Sequence, residues 1–90
     1  MIKRIESGIS GRALHWDYLS RVKNSAFHLG LKGVVFKRND GSIKVIAEGE
    51  DQNLLKFTAN LEKGGVFSST ENFYVKWHEP SRDLGEFYLI

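Results

Sequence analysis

Gly30-Leu31-Lys32-Gly33-Val34-Val35-Phe36-Lys37-Arg38-Asn39-Asp40-Gly41-Ser42 carries three structural signals in succession. Gly30 ends an amphipathic stretch, as a glycine just past the last helical turn does. Gly30-Leu31-Lys32-Gly33 turns the chain into Val34-Val35-Phe36-Lys37-Arg38, whose β-branched and aromatic content reads as a strand. Asn39-Asp40-Gly41-Ser42 is a hairpin signal, because Asp-Gly supplies the positive φ of a tight turn. The strand returning from it alternates Ile43, Val45 and Ala47 with Lys44, Ile46 and Glu48.

The flanks complete the pattern. Upstream, Ile5, Ser7 and Ile9 alternate with Arg4, Glu6 and Gly8, so a half-buried strand is expected from Ile2 to Ser10. Leu19, Val22, Ala26 and Leu29 form one apolar stripe at helical spacing, and a helix is expected from near Asp17, its carboxylate capping the first turn, to Gly30. Downstream, Glu48-Gly49-Glu50-Asp51 reads as a strand exit and helix start. The helix predicted over Gln52–Lys63 buries Leu54, Phe57 and Leu61 and stops at Gly64-Gly65. A polar link, Ser68-Ser69-Thr70, precedes a strand in which Phe73, Val75 and Trp77 alternate with Tyr74, Lys76 and His78. Pro80-Ser81 turns the chain toward a short last strand, Phe87–Ile90. The order is βαββαβ plus one strand. It predicts a single α+β domain over residues 1–90, a ferredoxin-like sandwich with two helices on one face of an antiparallel sheet.

Composition narrows the function classes. Ninety residues suffice for one core. There is no cysteine, so disulfide and thiolate chemistry are excluded and a reducing, cytoplasmic setting is expected. No apolar run has the length of a membrane span or of a signal core. His28 and His78 are isolated, and no two histidines have metal-ligand spacing. The net charge is only +2. Through Arg38, however, Lys3, Arg4, Arg12, Arg21, Lys23, Lys32, Lys37 and Arg38 are opposed only by Glu6 and Asp17. Such an imbalance is usually a solvated surface and sometimes an anion-binding side.

The connection from the first strand to the first helix is the candidate site. Its residues are Gly11, Arg12, Ala13, Leu14, His15, Trp16, Asp17, Tyr18 and Leu19. Backbone N–H groups of a loop entering a helix point into one small volume, where the helix dipole adds positive potential. A small phosphate-containing ligand is the partner such a loop would take.

The element order, Gly30-Leu31-Lys32-Gly33, Asp40-Gly41-Ser42, Glu48-Gly49-Glu50 and the closing aromatic strands resemble the acylphosphatase family, aligned without a gap from Ser10 to Glu50. The resemblance implies hydrolysis of carboxyl phosphates without metal or cofactor. It also implies an active site made of a loop, Gly-x-Val-Gln-Gly-Val-x-Phe-Arg, and an Asn on the second strand. In the family the loop N–H groups and the Arg hold phosphate, and the Asn orients the attacking water.

Gly11 and Arg12 match the start of that loop, while Ala13, Leu14, His15 and Trp16 replace Val-Gln-Gly-Val. The family Phe falls on Tyr18, the Arg on Leu19 and, counting from Gly33, the Asn on Lys37. Leucine offers no donor to phosphate, and Arg21, two positions on, points to nearly the opposite side of the helix. Lysine donates but does not accept, so Lys37 can hold an anion without orienting a water. The expectation is therefore a monomer whose hydrolase activity is lost or strongly reduced, leaving binding of a phosphate-bearing ligand or a protein partner. The alternative is an active acylphosphatase using Arg12, Lys37 or His15 in altered roles. A third reading, RNA binding on the helix-free face through Lys44, Tyr74, Lys76 and His78, ranks last because no aromatic-basic signature marks the central strands.

Overall fold

The computed structural model describes residues 1–12, 16–63 and 69–90. In chain order its elements are β1 (Ile2–Arg12), α1 (Trp16–His28), β2 (Lys32–Lys37), β3 (Ile43–Glu50), α2 (Asp51–Lys63), β4 (Ser69–His78) and β5 (Tyr88–Leu89). The strands form one sheet in the order β4-β1-β3-β2-β5. β3 runs antiparallel to both β1 and β2, and β1 runs antiparallel to β4. Each helix thus connects two parallel strands with a third inserted between them, the split βαβ arrangement expected from the sequence. The departure from an all-antiparallel sheet is β5, which pairs parallel to β2 through Val34–Tyr88 and Val35–Leu89.

The two periodicities meet in one core. Ile5, Ile9, Val35, Ile43, Val45 and Ala47 line the sheet face that Leu19, Val22 and Ala26 of α1 and Leu54, Phe57 and Leu61 of α2 cover. Each fully buried Leu, Ile or Phe contributes roughly 1.5–3 kcal/mol relative to exposure. Phe87, just before β5, closes the core edge-on against Phe57, with ring centroids 6.0 Å apart. Ser7 is the polar member of the same face, and its hydroxyl donates to the Tyr74 carbonyl at 2.8 Å.

Lys32 and Gly33, expected in a turn, are the first residues of β2, because they pair with Glu48 and Ala47 of β3. The shifts around β1 share another reason, the length of β4. It begins at Ser69, so Ser69 and Thr70 are strand rather than link, and they pair with Arg12 and Gly11 across a register shift after Ser10. β1 therefore runs to Arg12 instead of Ser10, and α1 begins at Trp16. Asp17 is consequently the second residue of the helix and not its cap. The expected stop at Gly64-Gly65 lies outside the described residues. At its other end α1 closes as expected: Leu31 N–H donates to the Ala26 carbonyl at 2.9 Å and Gly30 N–H to the Phe27 carbonyl at 3.0 Å, with Gly30 at φ 67°.

Glu48 was expected only as an alternating polar residue, yet it is 5% exposed. The segment after β4 covers it. The Ser81 hydroxyl donates to its carboxylate at 2.6 Å and the Arg82 N–H at 2.9 Å, with Arg82 held at φ 62°. Burial opposes ionisation, but these donors and the Arg4 charge outweigh it and hold the carboxyl below its ordinary value.

Two stability tests follow from this packing. A Cβ on Gly33, at φ 146°, would lie 1.9 Å from the Ile46 carbonyl oxygen, whereas one on Gly30 meets nothing. In urea unfolding, Gly33→Ala should lose about 2–3 kcal/mol, from overpacking and backbone strain, and Gly30→Ala only about 1 kcal/mol. A carboxyl held low stabilises the fold above its unfolded-state pKa, and that contribution disappears as the pH falls. Glu48→Gln should therefore flatten the acid limb of Tm against pH below about pH 5. An unchanged acid limb would contradict the clamp.

Candidate anion site at the end of the sheet

Sheet register assembles the site. Ile9 pairs with Ile43 and Ile43 with Lys37, so the three lie in one row across β1, β3 and β2. At ordinary strand spacing Lys37 is about 10 Å from Ile9 along that row. Ile43 and Ile9 are buried under the helices, which fixes Lys37 on the helix-covered side at the very end of β2. Gly11 and Arg12 continue β1 beyond Ile9 toward the same end of the sheet, and α1 starts there. The register shift between Ser10 and Gly11 falls at this point, as bulges often do beside functional sites.

The sequence-predicted residues divide into three groups. Gly11 and Arg12 end β1, and Trp16 and Asp17 open α1; Ala13, Leu14 and His15 lie outside the described residues. Tyr18 and Leu19 point into the core, at 3% and 2% exposure. Lys37 is exposed, and no ion pair engages it among the described residues. The structure thus brings the end of β1, the start of α1 and Lys37 to one end of the molecule. It removes Leu19 from the surface altogether.

Tyr18 ties the start of α1 to α2. Its hydroxyl donates to the Leu61 carbonyl at 3.1 Å, and burial pushes its pKa up to about 12, partly opposed by the Arg21 charge. Arg21 lies at the seam between the two helices. It lines a cleft of about 240 Å³ between the helices with Tyr18, Val22, Ser25, Phe57, Asn60 and Leu61.

The β2–β3 hairpin adds a wall that the sequence did not single out. Lys37 shares an open cavity of about 570 Å³ with Phe36, Arg38, Asn39 and Asp40. Arg38 N–H donates to the Ser42 carbonyl at 2.7 Å, and Gly41 N–H to the Arg38 carbonyl at 3.0 Å. The Asp40 carboxylate accepts from Ser42 N–H at 2.9 Å and Ser42 Oγ at 2.6 Å. These bonds, helped by Arg38, hold its carboxyl below the ordinary range. Asp40-Gly41-Ser42 announced the turn, and the adjacent cation Arg38 was already legible in the basic run through Arg38.

On the helix-free face Lys44, Tyr74, Lys76 and His78 do lie together, as alternation predicted. Glu6 stands in their midst. It accepts from Lys44, lies 3.7 Å from His78 Nε2, and is held below its ordinary pKa first by Lys44. Tyr74 lies over Gly8, where a Cβ would come within 2.2 Å of the ring, and Lys76 Nζ sits 5.6 Å from the Tyr74 ring centre. Glu6 thus takes up part of the positive charge of this face, which leaves less for a nucleic-acid backbone. Among the described residues no group of three acidic or histidine side chains could hold a metal ion, and no helix is long and apolar enough to cross a membrane.

A small split-βαβ domain with the end of β1, the start of α1 and Lys37 gathered at one end of its sheet is the class these features define. The acylphosphatase family profile matches residues 6–89. An acylphosphatase of Koribacter versatilis is 33% identical over 81 residues, covering 90% of this chain and 74% of that protein. One from Methanocella arvoryzae is 31% identical over 74 residues, covering 82% and 84%. The crystal structure of the Bacillus subtilis acylphosphatase superposes with a TM-score of 0.90 at 23% identity, covering 100% of this chain and 99% of that one. The chain belongs to the acylphosphatase family.

Removing the Tyr18 hydroxyl should loosen the first turn of α1 from α2. Tyr18→Phe strands a buried carbonyl, so its chemical unfolding should show a loss of about 1 kcal/mol. A stability equal to the parent's would mean that the bond contributes nothing.

Proposed function

We propose that this chain binds and hydrolyses carboxyl phosphates, with Lys37 supplying the positive charge that the family places on its loop arginine. The observation that carries the proposal is Lys37 itself: an exposed ammonium without an ion pair among the described residues, on the helix side at the end of β2, at the same end of the sheet as the end of β1. Backbone N–H groups of the β1–α1 connection and the positive end of α1 would hold the phosphoryl oxygens from one side. Lys37 would hold them from the other, each charge-assisted bond worth roughly 1.5–3 kcal/mol. Arg12 and His15 belong to the same connection and are the further candidates for contact. Relatives that bear the name acylphosphatase support this substrate class. We place the activity in a cytoplasmic monomer needing no metal or cofactor, as the family resemblance implies.

The rate should fall below that of relatives carrying the arginine and asparagine. A transition-state arginine is worth on the order of 10³–10⁵ in other phosphoryl-transfer systems, and a lysine at the asparagine position does not accept a hydrogen bond from water. A second reading, binding of a phosphate-bearing ligand or a protein partner with hydrolysis lost, is favoured by one observation. Leu19 is 2% exposed and contributes to the core rather than to a ligand.

Hydrolysis of benzoyl phosphate in metal-free buffer separates the two. The native chain should turn over slowly, be inhibited by inorganic phosphate, and lose about 10- to 100-fold in kcat/KM in Lys37→Ala. An inert native chain, with turnover appearing only in the double variant Leu19→Arg, Lys37→Asn, would establish the second reading instead.

A further inference from the structure

We propose that Lys37 is itself acylated by the carboxyl phosphate that the site binds, so that the protein acquires an amide-linked acyl group at this one lysine. The inference rests on the substrate class proposed above but not on turnover. An acyl phosphate is an activated carboxyl group, and a primary amine is the side-chain nucleophile that converts it into a stable amide. Where the family places an asparagine, whose amide is not a nucleophile, this chain places an amine. The lysine also reaches two atoms farther from the backbone than an asparagine would.

Lys23, Lys32 and Lys56 are, like Lys37, exposed and without an ion pair among the described residues, and Lys37 differs from them in lying at the shared end of β1 and β2. Lys3 is bonded to Glu79 at 2.8 Å, Lys44 to Glu6, and Lys76 lies against Tyr74. Lys37 is exposed and has no such partner among the described residues. Arg38 lines the same cavity and is the cation placed to receive the departing phosphate, while Asp40 is turned onto Ser42. In the reaction the Lys37 ammonium first gives one proton to solvent water, and the free-base Nζ then attacks the carboxyl carbon and the C–N bond forms. The C–O bond to the phosphoryl group breaks, inorganic phosphate leaves with that electron pair, and the proton from nitrogen passes to solvent water. No other reactant is needed. The product is a neutral amide, so the site loses a positive charge with each event. Binding converts an encounter between separate molecules into a reaction within one complex, which is what raises Lys37 above lysines that meet the reagent only by collision.

Incubating the native chain with acetyl phosphate, and following both phosphate release and acetyl groups by peptide mass mapping, tests this directly. Lys23 and Lys56, exposed on the two helices, are the internal references. Acetylation of Lys37 should be about tenfold or more faster than at either reference. Inorganic phosphate should suppress that preference, and unfolding in urea should abolish it. Equal rates at the three lysines, or a phosphoryl in place of an acetyl group on Lys37, would overturn the inference. If phosphate were still released catalytically in that case, the hydrolase reading would stand alone. Equal rates with neither turnover nor any effect of phosphate would remove both.

Discussion

β3 is held on both sides in a single register, and the candidate site exists only because of it. Side chains alternate across a sheet, so a slip of one residue between β2 and β3 would carry Lys37 to the opposite face. Several features oppose the slip together. Val35, Val45, Ile43 and Ile9 must all face the helices to be buried, and Gly33 is the residue that lets the Ile46 carbonyl come close. The Asp40–Ser42 bonds fix the hairpin length between the two strands. Placement of Lys37 is therefore a by-product of core packing.

That frame also explains how the chain departs from its family pattern without departing from the fold. At the first turn of α1, Leu19 fills core space in place of presenting a donor, and Tyr18 adds a hydroxyl that reaches α2. The positive charge at this end of the molecule has shifted from the helix to the end of β2, where Lys37 and Arg38 are adjacent. A donor-only ammonium suits holding an anion better than orienting a water, and the same amine is a nucleophile toward an acyl group. On the proposed function, the two substitutions move the site from positioning a water toward gripping, and reacting with, the substrate itself.

The order of elements was legible because each helix and strand carries its own period: Leu19, Val22 and Ala26 at helical spacing, Ile5, Ser7 and Ile9 at strand spacing. Their extents were not. β1 continues to Arg12 because Ser69 and Thr70 pair with its last two residues, and no local pattern in Ser69-Thr70 announces a strand partner so distant in sequence. Asp17 reads as a cap for the same reason, since the cap position depends on where β1 releases the chain. Lys37 was found by counting from Gly33, and pairing with Ile43 placed it on the helix side. Glu48 as a buried clamp came only from the chain segment that folds back upon it.

Titrating inorganic phosphate into the isotopically labelled chain, and following backbone amide shifts residue by residue, addresses the location of the anion site most directly. Saturable shifts should concentrate at Gly11, Arg12, Trp16 and Lys37, with little change at Glu48, Arg82 or the helix-free face around Tyr74. Shifts centred on that helix-free face, or none at the shared end of β1 and β2, would contradict the account.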